Sequence, residues 1–341
     1  MDLSIKKLIS TLALEWDISI ITNVKDTDQG VVNINWILNT DNGKYILKQV
    51  EQTRKESNIH FEFDYLLYLK NTGFPYQIPV PVLNKRGKYL ISKDNHYYWM
   101  YHYIEGETDV EMDNFRLKEV AKLLATYHNF VERSGLDNGI LKQSDYENLG
   151  YNSWVLKETE DYLNKLKDQN EYLPEDDLLK LYGPQLIDIT KKLETNKISS
   201  FPKYPLHRDI GGDNIVWKNN KLVGLLDFEN VPIFNEPFIK DIAVTAMSLC
   251  RNKNNLYESD LEAIKVLLDE YRQYKSLKKE EISFLPEIIT LGFVEDFNYA
   301  YWMLKHDPKR AKIERLHKYA KFALWQIENR KEIKKFLNYD N

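Results

Sequence analysis

Between residues 31 and 50 the apolar side chains Val32, Ile34, Trp36 and Leu38 alternate with polar or outward positions. A period of two marks a strand with one face buried. Asn42-Gly43 is a strong tight-turn signal and Tyr45 to Val50 resumes the pattern, so 31–50 reads as a β-hairpin. Lys48 falls inside its second strand, an unexpected place for a charge if both faces are covered. From 57 to 70 the period becomes helical, through Ile59, Phe63, Leu66, Leu67 and Lys70. Glu62 shares a face with Leu66 and Leu69 and therefore points inward. Pro75, Pro79 and Pro81 impose an extended connector. A second hairpin follows, Lys88–Ser92 with His96–Ile104, turning at Lys93-Asp94-Asn95. Beyond Glu105-Gly106 helical patterns dominate. Val120, Leu123, Leu124, Tyr127 and Val131 make one apolar stripe, and His128 beside it reads as a hydrogen-bonded core histidine. Amphipathic segments recur over 151–195 and 258–336. The expectation is an α+β fold of two lobes: 1–104, a small antiparallel sheet with one helix, and 105–341, larger and mainly helical.

Composition narrows the class. The 341 residues are too many for one small core and suit two lobes. With 43% hydrophobic and 29% charged residues, the chain has the balance of a folded soluble protein. A net charge of -5 argues against a nucleic-acid partner, which calls for a basic excess. Cys250 is the single cysteine, which excludes an intramolecular disulfide and points to a reducing compartment. The N-terminal apolar run is short and interrupted, unlike a signal peptide, and no apolar stretch approaches the ~20 residues of a membrane span. A cytoplasmic protein without a membrane partner is expected.

The chemistry concentrates in His207-Arg208-Asp209-Ile210-Gly211-Gly212-Asp213-Asn214, followed by Leu226-Asp227-Phe228-Glu229. This is the H-R-D-x-x-x-x-N spacing and then an apolar strand ending in Asp-Phe, the layout of a phosphoryl-transfer site. Such a reaction needs a carboxylate at the attacking hydroxyl and hard oxygen ligands holding magnesium against nucleotide phosphates. Asp209 suits the first task; Asn214 and Asp227 suit the second. Ile215–Lys218 and Lys221–Leu226, joined by Asn219-Asn220, read as a hairpin in which Lys218 pairs with Lys221 and Asn214 returns beside Leu225. Asn214 and Asp227 then emerge at one end, and magnesium needs only one or two protein oxygens besides phosphate and water. Upstream, Lys48 followed by the inward Glu62 has the order of the ion pair that holds nucleotide phosphates in kinases. Gly30 could bring backbone amides near phosphate. The backbone around Tyr101 and Tyr103, up to Ile104, is a candidate for adenine recognition. A protein substrate is disfavoured: no A-P-E follows Asp227, Phe228 to Val244 contains no Ser, Thr or Tyr, and Glu229 stands where D-F-G has glycine.

Over nearly its whole length the chain resembles the aminoglycoside phosphotransferase/choline kinase superfamily, small-molecule kinases with a protein-kinase-like fold. The resemblance rests on Gly30-Val31-Val32-Asn33, Gly43–Lys48, Tyr103–Glu107, Leu124–His128, His207–Asn214, Leu226–Glu229 and Asp241-Ile242-Ala243. The first two segments look most like homoserine kinases; Asp227-Phe228-Glu229 is closer to choline and ethanolamine kinases. Arg208 departs from the family, which usually carries a small residue there. The resemblance implies a bilobal fold with a five-stranded N-lobe, ATP with magnesium, and a small alcohol as acceptor. It further implies that His207 and Asp241 support the catalytic loop rather than touch substrate. The superfamily also contains spore-coat-associated members, so a kinase-shaped binding or coat-associated protein with little turnover is the alternative.

For the acceptor, Glu295, Asp296, Tyr299 and Trp302 lie on one helical segment with Phe297 and Tyr301. Acids and aromatics together could cage an amine. The same pattern is also that of a helix with an aromatic core face and solvated acids. An aminoglycoside, choline or ethanolamine, and a homoserine-like acceptor all fit.

Overall fold

The computed structural model describes residues 3–27, 33–136, 151–167, 172–193, 198–233, 235–255, 257–308 and 311–337. By compactness the chain divides into Met1–Asp109 with Asp213–Ile233, and Val110–Gly212 with Phe234–Asn341. The segment holding Asn214 and Asp227 thus counts with the first unit, whereas sequence alone assigned it to 105–341.

The first unit is built on a five-stranded antiparallel sheet of β1 (Ile21–Asp26), β2 (Ile34–Thr40), β3 (Gly43–Gln49), β4 (Ile91–Lys93) and β5 (His96–His102) in the order β1-β2-β3-β5-β4. Helix α1 (Leu3–Ala13) covers one face. Its Ile9, Leu12 and Ala13, with Trp16, pack on Trp36, Leu38, Tyr45, Leu47, Tyr98 and Met100, and the Trp16 indole donates to the Val82 carbonyl at 3.0 Å. Because strand side chains alternate, Ile46 and Lys48 are turned to the opposite face. There α2 (Glu56–Asn71) packs, with Phe63 edge-on to Trp99 at 5.2 Å between ring centroids. The β2–β3 turn is one residue earlier than expected: Thr40 pairs with Gly43, so the loop residues are Asp41 and Asn42. The β4–β5 turn falls on Asp94 and Asn95, both in the left-handed region that Asn and Asp tolerate.

The hairpin of β6 (Ile215–Lys218) and β7 (Lys221–Leu225) turns at Asn219-Asn220, with φ of 52° and 60°. Lys218 faces Lys221 as expected, but a bulge between Val216 and Trp217 shifts the register by one. Asn214 consequently meets Leu226, whose amide donates to the Asn214 carbonyl at 2.8 Å, rather than Leu225. The bulge adds a residue to one strand, which side-chain patterning does not reveal. Gly106 lies against this hairpin. Glu107 and Trp217 exchange two backbone hydrogen bonds, of 2.7 and 2.8 Å, and a Cβ on Gly106 would run into the Trp217 carbonyl and Val216.

The second unit is helical: α3 (Asn114–Ser134), α4 (Tyr151–Lys167), α5 (Pro174–Lys192), α6 (Phe238–Leu249), α7 (Leu261–Tyr274), α8 (Leu285–His306), α9 (Glu314–Glu328) and α10 (Arg330–Leu337), with a short helix at Lys279–Ser283. α8 is buried around most of its circumference, as its nearly continuous apolar sequence requires, and packs against α9, α6, α4 and α5. α3 pairs with α7. A short antiparallel pairing, Tyr204–Pro205 with Asn235–Glu236, brackets the loop that carries Asp209. Among the described residues no helix is long and apolar enough to cross a membrane.

Gly106→Ala should lower the denaturation midpoint by the equivalent of about 1–3 kcal/mol, the usual range for forced overpacking. Urea unfolding followed by tryptophan fluorescence measures it; an unchanged midpoint would mean that the Trp217 backbone yields freely.

Candidate active site

In the first unit, β3 delivers Lys48 to the sheet face opposite α1, and the end of the β6–β7 hairpin delivers Asp227. The Lys48 ammonium is 3.1 Å from Asp227 Oδ1 and 3.7 Å from Glu229 Oε2, and lies 5.8 Å from the centroid of the Trp99 ring. Asp227 is held with φ of 58°, while Phe228 is fully buried against Tyr65 of α2. A buried Phe next to a carboxylate in the left-handed region fixes the direction in which Asp227 leaves the hairpin.

The expected pairing of Lys48 with Glu62 is not what the chain does. Glu62 is fully buried on α2, but the cation on its carboxylate is Arg54, at 2.6 Å. Arg54 sits in the turn before α2, and its long side chain reaches both Glu62 and the Glu229 carbonyl, the latter at 3.3 Å. Lys48 is turned instead to Asp227 and Glu229. Burial alone would lower the Lys48 pKa; the charges of Asp227, Glu229 and Glu62 outweigh it and raise it above the ordinary lysine value. Burial and the neighbouring Asp227 push the Glu229 carboxyl up. Asn33 completes the cluster, its side-chain amide donating to Glu229 and its oxygen accepting from the Glu51 amide at 3.1 Å. Asn33, Arg54 and Glu229 were missed as site residues. The Glu that replaces glycine after Asp227-Phe228 was the available signal.

With all groups ionised, Lys48 and Arg54 face Asp227, Glu229 and Glu62, so this cluster carries one carboxylate in excess. Its oxygen donors near the hairpin end, Asn214 and Asp227, are hard ligands. Both features fit a divalent cation such as magnesium held partly by phosphate. Tyr101 is central to the sheet, paired with Ile46. The Tyr103 amide already donates to the Lys44 carbonyl at 2.9 Å, which removes it as a donor to adenine. Gly30 lies outside the described residues.

In the second unit, the 207–209 loop is organised by Asp241 of α6. The Asp241 carboxylate accepts from the amide of Arg208 at 2.7 Å, from the amide of His207 at 3.3 Å and from His128 Nε2 at 3.1 Å. Burial alone would raise the Asp241 pKa, but the His128 hydrogen bond, the His207 and His128 rings and the Arg208 amide hold it below the ordinary carboxylate value. His128 is fully buried, as expected of a core histidine, and burial lowers its pKa. It is therefore neutral, with Nε2–H on Asp241 and Nδ1 accepting from the Tyr271 hydroxyl at 2.8 Å.

Arg208 has φ of 62°, an uncommon conformation for a long side chain. Its guanidinium pairs with Glu236 and, at 2.7 Å, with Glu295, whose same oxygen takes Lys240 at 3.0 Å. Two cations and two carboxylates form a neutral buried network. Glu295 is thus engaged inside the protein and is not exposed to cage an amine, contrary to expectation: α8 turns it inward, and sequence alone did not reveal its partner Arg208. Asp296 is half-buried, and burial with the neighbouring Glu295 charge raises its pKa to about 6. Tyr299 and Trp302 are partly exposed and stack with ring centroids 6.1 Å apart.

A model of the APH phosphotransferase enzyme family matches residues 24–277. The chain belongs to that family. This phosphotransferase is 25% identical over 273 residues to the homoserine kinase of Sinorhizobium fredii (strain NBRC 101917 / NGR234), a match covering 80% of this chain and 76% of that protein. Its fold is shared with amicoumacin kinase hAmiN, solved with AMP-PNP, Ca2+ and Ami, at a TM-score of 0.67 and 18% identity over 97% of this chain and 93% of that one. It is likewise shared with spectinomycin phosphotransferase APH(9)-Ia, solved with ADP and spectinomycin, at a TM-score of 0.66 and 12% identity over 97% of this phosphotransferase and 98% of that chain. The α+β architecture and the superfamily read from the sequence both hold.

Arg208→Gly would relieve a left-handed residue, a gain of about 1–2 kcal/mol. It would also take the guanidinium away from Glu236 and Glu295, at about 3–5 kcal/mol for a broken buried pair. The second effect is larger, so the variant should unfold at lower urea; a variant as stable as the parent would refute the network's contribution. Because the folded Asp241 pKa is depressed, its contribution is present above the ordinary value of about 3.9 and is lost as pH falls through the folded value. Between about pH 5 and 3, Asp241→Asn should therefore have a melting temperature less steep in pH than the parent, as scanning calorimetry would record.

Proposed function

We propose that this phosphotransferase moves the γ-phosphoryl group of ATP, with magnesium, to the hydroxyl of a small amine-bearing acceptor. The observation that carries the reading is the complete chemical set in one chain: Lys48, Asp209, Asn214 and Asp227, at the spacing phosphoryl transfer uses, within a family-matched sequence. A kinase-shaped binding protein has no chemical need for all four. The kinases among its relatives act on hydroxyl-bearing small molecules by name, homoserine kinase among them.

In this reading Asp209 accepts a hydrogen bond from the acceptor hydroxyl, orients it, and takes its proton late, as the new bond forms. A loose transition state makes orientation its main contribution. Lys48 neutralises α/β-phosphate oxygens. Its raised pKa keeps it charged across the physiological range, and exchanging Asp227 for phosphate leaves it paired throughout. Glu62 acts through Arg54, fixing the turn that also meets Glu229. Asn214 and Asp227 would hold the metal, which when bound would supply compensation for charge on the leaving oxygen. His207 and Asp241 support the loop that carries Asp209, and the backbone near Tyr101 and Ile104 takes the adenine.

Asp209→Ala should lower kcat about a thousandfold or more with nucleotide affinity intact, as loss of a group used only in the chemical step does. Asp227→Ala should be at least as damaging and also weaken MgADP binding, since it removes charge stabilisation and nucleotide placement together. Coupled ADP-release assays on a panel of amino alcohols, homoserine and aminoglycosides, with calorimetric MgADP titration, test both. Near-parental turnover in both variants would sink the scheme.

A further inference from the structure

α9 presents Arg315, Lys318, Tyr319 and Phe322 at positions i, i+3, i+4 and i+7, which is one face of a helix. That face looks at α8, because the Phe322 ring stacks on Phe293 with centroids 4.5 Å apart and planes 7° from parallel. One turn further along α8 comes Asp296. From α6's C-terminal end Arg251 joins them, its Nε donating to the Met247 carbonyl at 2.8 Å and its guanidinium lying 5.8 Å from the Phe322 centroid. Four charged side chains from three elements, together with a phenol, therefore converge at one place in the second unit, all half-buried.

Their charges do not cancel. Three cations share a single carboxylate, and among the described residues no acid lies within 4.0 Å of the charged atoms of Arg251, Arg315 or Lys318. This contrasts with Arg208, Lys240, Glu236 and Glu295 a few residues away, where equal numbers pair at contact distance. Burial, together with the neighbouring Arg251 and Arg315, lowers the Lys318 pKa to about 8. Burial and Asp296 raise the Tyr319 phenol to about 12, so it stays a neutral hydrogen-bond donor, and Asp209 is among the charges acting on it. A buried cation crowded by cations gains from an anion; a buried carboxylate lacking a close cation gains from an ammonium. Both unmet needs stand side by side, within electrostatic reach of Asp209.

We propose that Arg251, Arg315 and Lys318, with Asp296 beside them, are the subsite for the head group of an α-amino acid acceptor. The cations take its carboxylate and Asp296 takes its ammonium, leaving the side-chain hydroxyl for Asp209. Asp296 favours a zwitterion over a phosphate monoester, whose two negative charges and missing ammonium would leave it repelled. Choline, ethanolamine and aminoglycosides offer nothing to the three cations. The inference rests on the small-molecule kinase reading and narrows its acceptor to an amino acid with a hydroxyl.

The test compares two pairs that differ only in the carboxylate, L-homoserine with 3-amino-1-propanol and L-serine with ethanolamine. Calorimetric titration into the full-length protein saturated with MgADP reads binding without turnover. At least one amino acid should bind about 100-fold more tightly than its carboxylate-free partner, as a site built for a charged group rejects analogues lacking it. Arg315→Gln and Lys318→Gln should each weaken that amino acid about tenfold or more while leaving MgADP affinity and melting temperature near the parent's; Lys318→Arg should retain most of the affinity. Carboxylate-free partners binding equally well, neither amino acid binding, or full affinity in both glutamine variants would overturn the subsite. Failure of the kinase reading looks different: the amino acid binds and the variants lose it, yet no acceptor releases ADP.

Discussion

Two consecutive backbone amides, of His207 and Arg208, end on one buried carboxylate, Asp241, and the arrangement of the second unit's chemistry follows from that contact. An amide pair aimed at one acceptor bends the chain sharply, and here the bend places Arg208 in the left-handed region. For a residue with a long side chain that conformation is unfavourable by itself. The charge-assisted hydrogen bonds to Asp241 offset it, and His128 and Tyr271 complete the line of partners behind. Once the bend is made, the Arg208 side chain turns inward, which is why Glu236, Glu295 and Lys240 are buried around it. Asp209 then follows a residue whose backbone and side chain are both held.

Charge is handled differently in the two units. Around Lys48 the carboxylates exceed the cations by one, and each of the charged groups already touches an opposite charge. Binding a divalent cation there exchanges one set of ion pairs for another rather than creating them from unpaired charge, which keeps the desolvation penalty modest. Around Arg208 the count is balanced, and the network reads as structural. Around Lys318 it is, among the described residues, neither balanced nor paired. A protein has little to gain from burying like charges for stability alone, so an imbalance of that kind is best understood as complementarity to something bound.

The strands of the three hairpins, the α2 helix and the left-handed turns at Asp94-Asn95 and Asn219-Asn220 were legible because their signals are local, periods of two and 3.6 and Asn at turns, whereas β1 (Ile21–Asp26) was not read from its residues. The hairpin that carries Asn214 and Asp227 was legible for the same reason, since the Asn219-Asn220 loop fixes where its strands turn, although the bulge then moved the partner of Asn214 from Leu225 to Leu226. What escaped the sequence is relational. Nothing local distinguishes Arg54 from Lys48 as the cation on Glu62; both are basic residues upstream of an inward glutamate, and side-chain reach decided between them. The bulge at Val216 and Trp217 leaves no mark on hydrophobic alternation. Helix α1 was overlooked because its apolar run is short, though its packing on Trp36, Leu47 and Met100 closes one face of the sheet.

Glu295 and Asp296 show how far apart the fates of adjacent acids can be. One residue along a helix is a rotation of about 100°, enough to carry one carboxylate into the protein and leave the next beside α9. Composition alone treats the two as a single acidic patch suited to an amine. With Glu295 consumed by Arg208 and Lys240, Asp296 is left as the acid acting on Lys318, beside Arg251 and Arg315. A polycation such as an aminoglycoside needs several carboxylates at its site; a single acid among cations is matched to a ligand carrying one charge of each sign. The departure at Arg208 is therefore connected to specificity. By engaging Glu295 it leaves the neighbouring charge tilted toward an anionic group, the balance on which the proposed amino-acid subsite rests.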